Sequence, residues 1–248
     1  MATLGTIAVG GRAERLLYSG LAALIVALVF AGFAPTYYLR TLNDAPALPP
    51  PPLTLTPLVH VHGLLFSSWV LFFLVQTRLV AANRVDLHRK LGIAGAVGAS
   101  LMIVVGAVTA LHSLARGSGV PGIDPRRFLA VPLFDLVVFA ALVCAGLWAR
   151  HDPQSHKRLM LLSTISLLPP AIARLPTFIE SLGVAGIFGT ADLCLLPVVG
   201  WDLATRGRLH RATLWGGLLM IVSVPLRLAV AGTDAWLAFA EWAVAPLK

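Results

Sequence analysis

Apolar residues in this chain come in unbroken runs, each of roughly the 20 residues a helix needs to cross the hydrocarbon of a bilayer. Seven such runs cover approximately residues 16–33, 57–82, 91–114, 128–148, 159–179, 184–201 and 213–231. Spanning backbone must satisfy its own hydrogen bonds, which leaves helices or closed barrels. Barrel strands would show alternating segments of about ten residues, and none is evident. The pattern therefore predicts an all-α, polytopic transmembrane bundle of about seven helices, one domain over residues 1–248. The run after Arg12 and Arg15 exceeds the roughly 7–15 residues of a signal-peptide core, so it reads as an uncleaved first helix. Residues 233–248 are too short and too polar to span. Thr233 or Asp234 can cap a short helix there, and Trp236 and Trp242 suit a membrane interface, so an interfacial C-terminal helix is expected.

The polar connections give an orientation. Arg12, Arg15, Arg78, Arg84, Arg89, Lys90, Arg150, Lys157, Arg158, Arg206, Arg208 and Arg211 fall on one side. The other side holds Arg40, Arg116, Arg126, Arg127 and Lys248. The richer side is expected to be cytoplasmic, with the N-terminus inside and the C-terminus outside. On the outer side, Pro49–Pro52 predict a stiff polyproline II segment in loop 36–56. Loop 115–127, with its glycines and prolines, is expected to be irregular.

Composition agrees. Hydrophobic residues make up 58% of the chain and charged ones 12%, about half the charge of a soluble domain. The net charge of +8 is explained by basic membrane-flanking loops, and nucleic acid is not an expected partner. Membrane lipid is, and other membrane subunits are a candidate. Cys144 and Cys194 stand alone in apolar runs and read as small core residues.

Three helix starts on the basic side look alike: Arg84-Val-Asp-Leu-His88, Asp152-Pro-Gln-Ser-His156 and Arg208-Leu-His210. Imidazole is a common haem and metal ligand, so His88, His156 and His210 form a candidate metal set. The competing reading is interfacial anchoring, in which the basic residues face phosphate head groups.

Ionisable residues at membrane depth form the second candidate site. His60 and His62 lie near the outer start of the second helix and His112 at the outer end of the third. Asp135, Arg174, Asp192 and Arg227 lie within the fourth to seventh. Buried charges in lipid are costly and face the bundle interior. They are expected either to pair, locking helices together, or to line an outer-half pocket. Pro169-Pro170, Pro197 and Pro225 predict kinks beside these charges. His62, Phe66, Trp69, Phe73 and Gln76 form one helical stripe, which reads as ordinary packing or as the wall of a flat ligand. A haem b or a quinone is the candidate cofactor, with His60, His62, Gln76, His112, Asp135, Arg174, Asp192 and Arg227 as candidate binding residues. No HExxH, glycine-rich phosphate loop or CxxC motif is present, and no reaction can be named.

The segments Phe33-Ala-Pro-Thr-Tyr-Tyr-Leu39, Leu58-Val-His-Val-His-Gly63, Trp69 with Gln76-Thr77, His88-Arg-Lys-Leu-Gly92, His156-Lys-Arg-Leu-Met160 and Ala171-Ile-Ala-Arg174 resemble a bacterial family of multi-spanning inner-membrane proteins. That resemblance implies fold and location but no activity. The His-Arg-Lys-Leu-Gly helix start is also similar to small b-type cytochromes, which implies haem ligands near helix ends. Three functional readings follow: a haem- or quinone-binding redox protein, an accessory or scaffold subunit of a membrane complex, and a small-solute or proton-coupled transporter.

Overall fold

The computed structural model describes residues 4–42, 55–120, 122–175 and 183–247. The polyproline expectation at Pro49–Pro52, the end of the fifth run at 176–179, and Lys248 lie outside these residues. Among the described residues there is helix and no strand. The helices are α1 (Leu4–Phe33), α2 (Pro57–Ala81), α3 (Val85–Ala115), α4 (Pro125–Phe128), α5 (Ala130–Trp148) and α6 (Pro153–Ile165). They continue with α7 (Pro169–Ile172), α8 (Gly183–Asp192), α9 (Leu196–Arg206), α10 (Arg211–Ala231) and α11 (Asp234–Val244).

Local chemistry sets several boundaries. Thr56 caps α2 by accepting from the Val59 amide, with Pro57 in the first turn. Asp152 caps α6 in the same way, ahead of Pro153. Proline is tolerated there because a first-turn amide has no intrahelical partner. Gly207, at φ +66°, ends α9 in the left-handed conformation that glycine adopts without steric cost.

Contacts between helix ends give the topology. Arg15 of α1 donates to the Ala81 carbonyl of α2 at 3.2 Å. Lys157 of α6 pairs with Glu14 of α1 at 2.5 Å. His88 of α3 meets His156 of α6, and Arg158 of α6 pairs with Asp202 of α9. These contacts gather residues 14–15, the ends of α2 and α9, and the starts of α3 and α6 at one basic end. At the opposite end Tyr37 meets His60 and Arg174 lies over Phe33.

The chain thus passes seven times between the two ends, and among the described residues six passes are helical stretches long and apolar enough to cross a membrane. The fifth, expected over 159–179 with a kink at Pro169-Pro170, is broken into two helices rather than bent. Its helix α6 ends at Ile165, a turn follows, and α7 begins at Pro169-Pro170. Neither proline has an amide to donate, and each ring crowds the preceding turn. The break is tolerated because it is inside the protein: Ile165, Leu168 and Ala171 are all fully buried. The sixth pass is also interrupted, by a 3-10 turn at Leu193–Leu195 just ahead of Pro197. By contrast α10 runs unbroken through Pro225.

The core is built from Ile25, Met102, Phe139, Leu142, Leu161 and Leu162, contributed by α1, α3, α5 and α6. Leu64, Ile93, Val97, Val104, Val137 and Ile221 are exposed. An apolar surface this extensive would aggregate in water, and it identifies an integral membrane protein whose outer face meets lipid. The tail helix α11 packs on the far end through Ala240, next to Ala110 and Leu129. Trp236 donates to the Arg126 carbonyl at 2.9 Å, and Arg126 pairs with Glu241 at 2.5 Å.

Candidate functional site

The outer-half charges resolve into one pair and several separate groups. Arg227 of α10 forms an ion pair with Asp135 of α5. Its remaining donors reach the Ser223 carbonyl at 3.1 Å and the Ser223 hydroxyl at 2.8 Å. The guanidinium lies 4.2 Å from the centre of the Phe188 ring of α8. A cation so bonded and so stacked is satisfied without a guest. The adjoining cavity is about 180 Å³, lined by Val131, Val184, Arg227 and Leu228 among others, which is below the roughly 300–1,000 Å³ of small-molecule pockets.

Asp192 is half-buried on α8, outside this pair. Arg174 is exposed, donates to the Pro170 carbonyl at 2.6 Å and lies 4.5 Å from the centre of the Phe33 ring. Tyr37 and the His60 Nδ1 share a 3.2 Å hydrogen bond near the surface. His62 stacks on Phe66 with centroids 4.1 Å apart, and His112 is half-buried on α3. Of the eight outer and stripe residues singled out in the sequence, only Asp135 and Arg227 bond each other.

The His62 stripe turns inward as its spacing requires. Trp69, Phe73 and Gln76 are buried, and Trp69 meets Phe139 edge to face at 5.2 Å. Several of its polar atoms, however, lack partners. His62 Nδ1, Trp69 Nε1 and Gln76 Oε1 are all buried without a hydrogen bond, as is His88 Nδ1 at the basic end of the same row. Buried unpartnered polar groups are rare and costly; three of these lie on α2 and the fourth at the start of α3.

At the basic end the three similar helix starts part company. His88 and His156 face each other, ring centroids 6.1 Å apart and planes at 79°. His156 Nδ1 is fixed on the Gly146 carbonyl at 2.8 Å, which leaves its Nε2 for another partner. Gln76 donates to the His88 carbonyl at 3.3 Å, tying the stripe to this pair. His210 does not join them. Its Nδ1 accepts from the Ala212 amide at 3.1 Å and caps α10. Burial, reinforced by the Arg158 and Arg206 charges, lowers its pKa. Among the described residues no three His, Cys, Asp or Glu side chains converge as a metal site.

One buried cluster escaped the sequence reading, which placed Arg158 among the loop cations and left Asp202 unremarked. Both are fully buried. Arg158 pairs with Asp202 and donates to Gln154 Oε1 at 2.7 Å. Asp202 also accepts from the Thr213 hydroxyl at 2.6 Å and from the His210 amide at 3.1 Å. The signal was a carboxylate in the last turns of an apolar helix, where it opposes the helix dipole and needs a cation.

No protein-family model, curated protein or solved structure matches this chain.

Proposed function

We propose that this integral membrane protein binds a redox cofactor, and that His88 and His156 would hold a b-type haem. The observation that carries the reading is the ring pair with centroids 6.1 Å apart. The bond from His156 Nδ1 to the Gly146 carbonyl is the kind of contact that orients metal-binding histidines. Imidazole is a common ligand of haem iron, so this ring pair would suit a haem. Arg89 and Lys90, next in sequence to His88, would supply charge for the propionates. Bound haem would contribute one-electron transfer.

The test is the absorption spectrum of the full chain purified in mild detergent, with and without added haemin. A Soret band is expected, lost in both His88→Ala and His156→Ala and retained in His60→Ala. A colourless protein after haemin addition, or a band indifferent to both substitutions, overturns the reading.

A second reading, an accessory subunit of a membrane complex, is favoured by the two closed ion pairs Asp135–Arg227 and Arg158–Asp202. These brace helices and offer no charge to a guest. Co-purification of a stoichiometric membrane partner from the native host would support it, and a solitary monodisperse protein would weaken it. Under either reading we place the protein in a bacterial inner membrane, with the basic end cytoplasmic.

A further inference from the structure

We propose that a groove between α1 and α2 at the basic end is a binding site for a phosphate group carried by an anionic lipid. The groove measures about 550 Å³ and is lined by Arg12, Arg15, Ser19, Arg78 and the small residues Gly11, Ala81 and Ala82. It is independent of the histidine pair.

Three observations point to its ligand. First, it gathers three guanidinium groups with no carboxylate partner among the described residues. Glu14, the nearest acid in sequence, is taken by Lys157, and Asp86 by Arg84. Arg15 spends one donor on the Ala81 carbonyl at 3.2 Å, which fixes the side chain across the groove and leaves its other donors available. Three like charges held together repel unless an anion joins them. Second, the Ser19 hydroxyl in the groove wall is buried and makes no hydrogen bond, although the residue is only 8% exposed. A phosphate oxygen would accept that hydroxyl proton, and the guanidinium forks match the other oxygens. Third, the small residues keep the floor open: a Cβ added at Gly11 would meet nothing within 4 Å. The groove also sits at the end of two lipid-facing helices, where a head group lies while its acyl chains follow the exposed faces of Leu16 and Val80.

Native mass spectrometry of the full chain, delipidated in mild detergent, tests the assignment with three probes: dioleoyl phosphatidylglycerol, dioleoyl phosphatidylcholine and inorganic phosphate. The phosphatidylglycerol adduct is expected to exceed the phosphatidylcholine adduct. In Arg12→Gln/Arg78→Gln its affinity should fall by roughly 30-fold. Arg12→Lys/Arg78→Lys should recover most of it, and Arg150→Gln, at the same end but outside the groove, should leave it unchanged. Ser19→Ala should weaken the adduct while the protein keeps its elution volume. Inorganic phosphate that displaces the lipid, and itself fails to bind the double Gln variant, keeps the phosphate site and assigns its ligand to solution. Equal retention of the two lipids, or equal loss in Arg150→Gln and the double Gln variant, overturns the proposal.

Discussion

Arg227 illustrates how a charge is kept inside a bundle: one carboxylate, one hydroxyl, two carbonyls and two aromatic rings surround its guanidinium. Removing one partner of such a buried pair strands the other charge and costs about 3–5 kcal/mol, whereas replacing both with apolar residues of similar size can be neutral. Asp135→Ala should therefore lower the thermal midpoint in detergent markedly, and Asp135→Leu/Arg227→Met should restore most of the loss. The same measurement checks Asp202→Ala, where Arg158, Thr213 and the His210 amide all lose their acceptor. His210 adds a pH dependence. Its folded pKa is lowered by burial, so the unfolded chain takes up the proton first. The stability this histidine contributes is complete above the unfolded value of about 6.5 and declines as pH falls below it. His210→Asn, which keeps a capping acceptor but cannot titrate, should flatten the midpoint between about pH 7 and pH 5 relative to the native chain. The sequence made the kinds of buried group legible at this scale, but not the pairing. Asp135 and Arg227 are 92 positions apart, and depth along a helix does not say which neighbour it touches.

The helices themselves were the most legible level, because a lipid solvent leaves a run of apolar residues few options. The exception was the fifth pass. Its apolar residues continue through Pro169-Pro170, and hydropathy does not register that two missing amides stop a helix. What compensates is close packing. Gly32 of α1 crosses α7 so tightly that a Cβ there would sit 2.2 Å from the Ala171 carbonyl oxygen. Gly32→Ala has to push α1 and α7 apart, with an overpacking cost of about 1–3 kcal/mol. The expected outcome is a lowered midpoint in Gly32→Ala and an unchanged one in Gly98→Ala, where an added Cβ meets nothing within 4 Å. An equal response at both glycines would show that the crossing is not as tight as its geometry states.

For the whole molecule, the distribution of arginine and lysine predicts sidedness. A fluorescent-protein fusion to the N-terminus should be bright, and an alkaline-phosphatase fusion to the C-terminus active. Reversal of both would invert the bundle. Seven passes could be inferred from the sequence, but their mutual arrangement could not, since it rests on contacts such as those of His88 with His156 and Lys157 with Glu14. The broken fifth pass also bears on biogenesis. As residues 153–175 leave the ribosome, the sixth and seventh passes have not yet emerged. The segment would meet bare lipid with Arg158, Ser163 and Thr164 and an interrupted backbone, all of which the finished bundle hides. It is too poor a guest to partition alone, so its neighbours must arrive before it can settle, and the translocation machinery has to hold it back until they do. A chain truncated after residue 182 and released from the ribosome should leave this stretch open to a membrane-impermeant reagent from the side of synthesis, and a full-length chain should shield it.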